Sequence, residues 1–347
     1  MKEQSINQLT PATVETEGYL QPKSGFLAAA TKGLCWIYLA CIVAVWGLVR
    51  YKIDTWWPAT LVGYGPRYLL SAPLILLFPL SLWKFRRGIV PLFAAGLLIA
   101  WPIMGLQLPL RGAPPTSLEG LKIVSANMGG GCSTERLMSL IEQESPDVVV
   151  LQEYSAKRDH KIFSDRGWSI EFRGGLFCAS RFPIVKVETV LLDPKASWEI
   201  RVARFEIAAP DGAFQLFNIH LETVREGLQE VIDDKLDGLP ELEENSRSRM
   251  RESQAVSQWV RSFAGPKVIL GDFNMPADSA IYQECWSLFD NAFSARGFGY
   301  GSTKFTRYFG IRIDHVLSDR SWETLACQVG PDLGGDHRPI LAELIRR

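Results

Sequence analysis

Acidic residues are nearly missing from one third of this sequence: between Glu17 and Glu119 only Asp54 carries a negative charge. Cysteine is sparse as well, with six in 347 residues, and no C-x-x-C spacing of a zinc or redox motif occurs among them. Cys35 and Cys41 fall in an apolar run, and Cys132, Cys178, Cys285 and Cys327 are scattered, so their disulfide state is left open. There is no G-x-S-x-G elbow, no Walker lysine and no dinucleotide glycine pattern, which removes the usual signatures of acyl transfer, nucleotide hydrolysis and hydride transfer. No internal repeat stands out. With 47% hydrophobic residues and a formal net charge of -1, the chain is neither a disordered tail nor a bulk polycation.

What fills the acid-poor third is three long apolar runs, over about 33–49, 59–83 and 88–110. A soluble helical domain would alternate such runs with polar faces, and these do not alternate. Their lengths predict three transmembrane helices. Trp56 and Trp57, just before the second run, suit an interfacial belt. Some thirty polar residues precede the first run, forming an expected tail over 1–32, which fits a cleaved signal peptide poorly. The densest basic cluster, "KFRR" from Lys84 to Arg87, marks a cytoplasmic loop, so three crossings would leave everything after Arg111 outside the cytoplasm. Arg50 and Lys52 on the outer side oppose this orientation, accompanied by Asp54.

"RGAPPTS", residues 111–117, reads as a stiff linker. The remaining stretch, 118–347, is long enough for one large domain. From Ser117 onward 27 Lys and Arg face 34 Asp and Glu, a balance of -7 that argues against a grip on duplex nucleic acid through its phosphates. Short strand-like runs recur there: "LKIVSAN", "DVVVLQE", "GLFCAS", "EIRVARFEI", "AFQLFNIHL", "KVILGD", "RIDHVL" and "PILAELI". Helices are expected from Ser133 or Thr134 to about Glu144, and from Ser246 to Phe263. The nine acids between Glu222 and Glu244 read as a solvated surface excursion. Many strands with few helices predict an α/β (α+β) fold of two packed sheets with helices outside.

Polar residues cluster where these strands end. Asn127 ends the first, Glu153 follows the second, His220 closes "FNIH", and Asp272 and Asn274 follow "KVILG". Asp314 opens "DHVL", and Asp336 with His337 precedes "RPILAELI". Three of the four histidines, His220, His315 and His337, lie beside these ends. Each residue has a plain reading as a turn or half-buried polar group. Together, carboxylates, amides and imidazoles at strand ends suit an active site on a rigid scaffold. Hard oxygen ligands from Glu153 and Asp336 favour Mg²⁺, or Mn²⁺, and phosphoryl chemistry.

The motif set "SANMG", "LQEY", "NIHLE", "GDFN", "IDHV" and "GDHRP", in this order from Leu121 to Leu344, resembles the endonuclease/exonuclease/phosphatase superfamily with the fold of pancreatic deoxyribonuclease. The resemblance implies a four-layer α/β/β/α sandwich, here preceded by the three transmembrane helices. It implies that Asn127, Glu153 and Asp336 serve the metal, with Asn127 also at the phosphate. It implies further that His220 assists the leaving group or contacts phosphate, Asp272 orients or deprotonates water and Asn274 holds the scissile phosphate. Asp314 would fix His337, which would stabilise the pentacovalent phosphate. Gly335 stands where Ser is common, a departure touching hydrogen bonding around the site.

The function expected is a multi-pass phosphoesterase of the bacterial inner membrane, acting outside the cytoplasm on a lipid-linked phosphate ester or anhydride. Its partners would be the lipid bilayer and that substrate, with no obligate protein partner. An anchored nuclease, with nucleic acid as substrate, and a non-catalytic sensor are the alternatives. The loop from Phe293 to Arg312 mixes aromatics with arginines; it reads either as a hydrophobic hairpin or as a surface for a lipid headgroup or a base.

Overall fold

The computed structural model describes residues 24–109, 120–155, 161–190 and 200–347. The expected linker and most of the polar tail lie outside the described residues. The first apolar run forms α1 (Ser24–Lys52), so the helix begins well before Gly33. The second run is not one helix. It gives α2 (Trp57–Tyr64), then a 3₁₀ turn (Arg67–Ser71) leading into α3 (Ala72–Lys84), with a bend of 95° between the two parts. The break falls at Gly65 and Pro66. Gly65 is extended, as the residue before proline must be, and Pro66 brings no N–H to continue the ladder. The third run gives α4 (Ile89–Leu98), which widens into a π turn at Ile99–Ile103 around Pro102 and stops well short of residue 110. Two helices, Gly25–Lys52 and Arg86–Ile103, are therefore long and apolar enough to cross a membrane; the bent pair makes a third span only if it counts as one.

The rest is two six-stranded sheets packed face to face. One runs β13 (Trp322–Val329), β14 (Ile340–Arg346), β1 (Leu121–Asn127), β2 (Val148–Gln152), β4 (Leu176–Ser180), β3 (Ser169–Arg173). The other runs β5 (Ile184–Thr189), β6 (Val202–Ala209), β7 (Gly212–His220), β8 (Lys267–Asp272), β12 (Asp314–Ser318), β9 (Asp290–Asn291). A small hairpin, β10 (Lys304–Phe305) with β11 (Gly310–Ile311), stands apart. Each large sheet has one parallel pair at its centre, β1 with β2 and β7 with β8. Every other named pairing is antiparallel.

Between the sheets, Ile123, Val150, Phe205, Leu216, Leu270 and Val316 form the core. Outside them, α5 (Thr134–Glu144) buries Leu137, Leu140 and Ile141 on the first sheet, and the short α6 (Lys161–Ser164) brings Phe163 to the same cluster. On the second sheet, α8 (Leu239–Ser262) and α9 (Ala280–Cys285) bury Val256, Val260 and Ile281. The short α10 (Ala292–Arg296) seals the inter-sheet core with Phe293. Both faces of the sheets are thus covered, which is why β1, β2 and β8 are buried almost throughout. All six cysteines are free.

The acidic stretch is more than a solvated excursion. Residues from Arg225 form α7 (Arg225–Asp234), and α8 starts at Leu239 rather than Ser246 because Pro240 suits a first helical turn. The acids of α7 and of the first turns of α8 are exposed, while Val224 and Leu242 pack with Val49, Ile53 and Tyr64 at the end of the apolar helices. Beside that cluster Arg249, wholly buried, donates from Nη1 to Asp54 Oδ1 at 2.7 Å and from Nη2 to the Tyr64 hydroxyl at 2.7 Å. A second ion pair, Arg67 with Asp278 at 2.6 Å, joins the same two regions. The Lys84–Arg87 turn lies at the other end of the helices, where Gly88 sits against Cys35.

Removing one partner of a fully buried ion pair leaves an uncompensated charge and costs about 3–5 kcal/mol. Asp54→Ala is therefore expected to lower the unfolding midpoint of the full chain in detergent, and the double variant Asp54→Leu with Arg249→Met to recover most of the loss. A midpoint for Asp54→Ala within a degree of the wild type would show that the pair does not carry this load.

Candidate active site

The two central parallel pairs end side by side, and their last residues face one another across the sheets. Asn127 and Glu153 come from the ends of β1 and β2, His220 and Asp272 from the ends of β7 and β8. The Asn127 amide is the stitch between them: its Nδ2 donates to Glu153 Oε1 at 3.0 Å and to Asp272 Oδ2 at 3.0 Å. The amide oxygen is turned away to accept the Gly129 N–H at 2.9 Å. Asn127 therefore aligns two carboxylates here.

Glu153 and Asn274 both adopt left-handed backbone, with φ of 48° and 52°. Such non-glycine residues cost of order 1 kcal/mol each and persist where surrounding bonds hold them. Glu153 is held from both sides, by Met128 N–H to Gln152 O at 2.9 Å and Tyr154 N–H to Gly175 O at 2.9 Å. Asn274 donates its backbone N–H to Asp272 Oδ1 at 2.8 Å and its side-chain Nδ2 to Leu221 O at 2.8 Å. Its carbonyl accepts from Arg249 Nη2 at 2.9 Å. Asx turn chemistry at "GDFN" thus fixes Asp272 and aims Asn274 in one step.

Asp314 lies directly opposite Asp272 in the β8–β12 register. His337 Nδ1–H donates to Asp314 Oδ2 at 3.0 Å, and His337 Nε2 is 3.7 Å from Asp272 Oδ2. Burial disfavours a charged imidazole, but Asp314 and then Asp272 outweigh it and push the His337 pKa up to about 9. Burial first, and the Asp314 charge second, raise the Asp272 carboxyl above its ordinary range. His220 Nε2 sits 3.7 Å from Glu153 Oε1.

All eight residues singled out in the sequence thus belong to this corner. His315 does not. It points to the opposite face of β12, between Phe273 and Tyr282, with Nε2 at 2.9 Å from Met275 O. Burial and the Arg312 charge lower its pKa to about 4, so it stays neutral. Lys304 belongs to the site and carried no signal in sequence. Its ammonium pairs with Asp336, and burial of Asp336 is offset by that pairing, which holds the carboxyl below its ordinary range. The strand bridge from Lys304 to His337 and the Phe305 N–H to Asp336 O bond at 2.7 Å carry it there. Thr303, also missed, accepts the N–H groups of Ile313 and Asp314 on its Oγ1 at 3.1 Å each.

The donor set fits a divalent cation. A first side-chain carbon at Gly129 would lie 2.2 Å from Glu153 Oε2, and one at Gly130 would lie 2.8 Å from Asp336 Oδ1. The two glycines therefore form one cradle that admits both carboxylates. Glu153 and Asp336 bring hard oxygen donors to this cradle, and Lys304 pairs with Asp336 alone. Asp272, Asp314 and His337 also lie within 4.8 Å of one another, but there the imidazolium already supplies the positive charge.

Two six-stranded sheets with an acid, amide and imidazole cluster at the ends of their central strands define a class of phosphoester hydrolases. The chain belongs to the Endonuclease/Exonuclease/phosphatase family, whose model matches residues 124–337. Among solved structures, the fold is similar to a 3′-5′ exonuclease from Neisseria meningitidis, at 19% identity and a TM-score of 0.51, covering 65% of this chain and 99% of that one. It is similar to a Neisseria 3′ phosphatase bound to product DNA hairpin, at 19% identity and a TM-score of 0.50 over 64% and 98% of the two chains. A family protein from Bacteroides thetaiotaomicron gives 14% identity and a TM-score of 0.50 over 66% and 98%. Comparison with curated proteins gave no match. The apolar helices lie outside the family match.

The His337 shift has a pH signature. Its pKa is raised from 6.5 to about 9 on folding, so the stabilisation is fully present below pH 6.5 and lost as pH rises through about 9. It amounts to about 3 kcal/mol. The metal-free protein should melt at progressively lower temperature from pH 7 to pH 9.5, and Asp314→Asn should flatten that slope; an unchanged slope in the variant would refute the assignment.

Proposed function

We propose that this protein is a membrane-anchored, divalent-metal-dependent phosphoesterase that cleaves a lipid-linked phosphate ester or anhydride outside the cytoplasm. The observation that carries the chemistry is the Asn127 amide shared by Glu153 and Asp272, which supports reading the first carboxylate as a cation ligand and the second as the one that orients water. Glu153 and Asp336 would hold Mg²⁺ or Mn²⁺, and the ion, when bound, supplies neutralisation of charge developing on a phosphoryl group. Asp272, fixed by Asn127 and the Asn274 N–H, orients the attacking water and takes its proton. Protonated His337, locked by Asp314, donates to the phosphoryl oxygen as negative charge accumulates there. The Asn274 amide holds the phosphate, and His220 faces the leaving group beside Glu153.

The lipid part of the reading rests on attachment. A catalytic domain fixed to apolar helices meets bilayer substrates at high effective concentration, and its acidic balance disfavours duplex nucleic acid. The orientation rests on the Lys84–Arg87 turn lying at the far end of the helices from the domain; in a bacterial cell that turn would stay cytoplasmic and the domain would lie beyond the inner membrane. A second reading, an anchored nuclease, is favoured by the Neisseria structures, one of which holds DNA.

The purified full chain with Mg²⁺ should hydrolyse phospholipid or polyprenyl pyrophosphate in vesicles and leave DNA intact; cleavage of DNA alone would select the nuclease. Asp272→Asn and His337→Ala should each lower kcat at least 10²-fold, as loss of proton transfer or charge stabilisation does elsewhere. Full turnover by both would return the domain to the status of a non-catalytic sensor. For orientation, a reporter active only outside the cytoplasm, fused after Arg347, should be active, and a silent one would reverse the topology.

A further inference from the structure

A cavity of about 650 Å³ lies where the apolar helices meet the domain, within the range of small-ligand sites. Arg67, Trp101 and Gln107 line it from the helical side, Tyr300, Tyr308 and Arg312 from the domain. None of the eight site residues forms its wall, yet three wall segments run straight into the site. Pro276 follows Asn274 by two positions, Ser302 precedes Lys304 by two, and Arg312 precedes Asp314 by two. Two residues of extended chain span about 7 Å, so a group held in the cavity is a neighbour of the reaction.

The charge of the lining is one-sided: Arg50, Arg67 and Arg312 face Asp278 alone. Asp278 is already taken, because Arg67 bonds both its oxygens, at 2.6 and 3.1 Å. Among the described residues, that leaves Arg312 with no acid in direct contact. Its guanidinium lines the cavity and rests over the Phe293 ring at 4.7 Å, and its buried Nη1 has no hydrogen-bond partner among the described residues. A cationic donor in this condition is costly unless an anion completes it. The rim is aromatic and open: Tyr68, Trp101, Tyr300 and Tyr308 are 41%, 57%, 41% and 72% exposed, as amphipathic rings are at a bilayer surface. Gln107, just past the π turn that ends at Ile103, pairs through its backbone with Gly299, which sets the aromatic loop level with the helix ends.

We propose that this cavity seats the anionic, phosphate-bearing headgroup of a membrane lipid, with Arg312 as its counter-ion and the acyl chains left in the bilayer beside Tyr68 and Trp101. The assignment rests on the reading of the domain as a phosphoesterase working at the membrane, and gives that reading its route of substrate entry. It is tested without turnover, in the full chain carrying His337→Ala. Native mass spectrometry from detergent would compare phosphatidylglycerol, zwitterionic phosphatidylcholine and lipid-free glycerol 3-phosphate. Phosphatidylglycerol should be retained at least tenfold better than either of the others, and adding Arg312→Met should reduce its retention at least tenfold, with Arg312→Lys between. The lipid-free Arg312→Met protein should melt no lower than its parent, since the change removes an unpaired buried charge. Equal lipid retention in Arg312→Met, or equal retention of glycerol 3-phosphate, overturns the site; a lower melting point without lipid retention in the parent makes Arg312 structural and also overturns it. Hydrolysis by the wild type with no lipid retention would remove this site and leave the phosphoesterase standing.

Discussion

The guanidinium of Arg249 is shared by two parts of the molecule that have separate tasks. One face of it meets Asp54 and Tyr64 at the end of the apolar helices; the other meets Asn274 O at 2.9 Å and Glu222 O at 3.2 Å. Those two carbonyls belong to the segments that follow β8 and β7 out of the site. A buried arginine needs a carboxylate, and the one it has comes from the helical region. The single acid in an otherwise acid-free third of the chain sits where that charge is required. The apolar helices are thereby part of the support of the site loops, and the positive φ of Asn274 is held by a residue whose own partner, Asp54, lies at the end of those helices.

The catalytic corner repeats this logic of shared groups. Asn127 serves two carboxylates, Asp272 receives both Asn127 and the Asn274 N–H, and Asp314 spends itself on His337. No side chain there acts alone, because each sheet brings only half of the set. Beneath it a buried network of Gln152 Nε2 to Asn218 Oδ1 at 2.8 Å, and Asn218 Nδ2 to Leu151 O at 3.0 Å, ties the two sheets below the site. Such polar contacts between otherwise apolar layers fix the register of one sheet on the other.

Much of this was legible in the chain. The eight strand-like runs all form strands, since alternation and β-branched content survive tertiary context when both faces are buried. The eight candidate residues could be singled out because strand ends are local features, and the fold brings them to one corner. What escaped was set by longer-range or finer effects. Hydropathy outweighed Gly65–Pro66, so a broken helix was read as continuous. The acid count over residues 222–244 hid an apolar stripe, and with it the docking of α7 and α8 on the helices. His315 neighbours Asp314 in sequence but faces away, because side chains alternate along a strand. Lys304 and Arg249 reach their partners only through packing, and nothing beside them in sequence announces it.

Strand β14 pairs with β1 from Leu121↔Leu344 to Ser125↔Ile340, closing the first sheet across more than two hundred residues. The Asp336–His337 pair sits immediately before that strand, so the imidazolium reaches Asp314 only as this closure occurs. Contacts of such sequence separation form late, because the loop must be closed before they repay it. The Asp314–His337 bond is therefore among the last contacts of the corner to form. The order of assembly thus withholds the complete acid and imidazole corner until both sheets are closed.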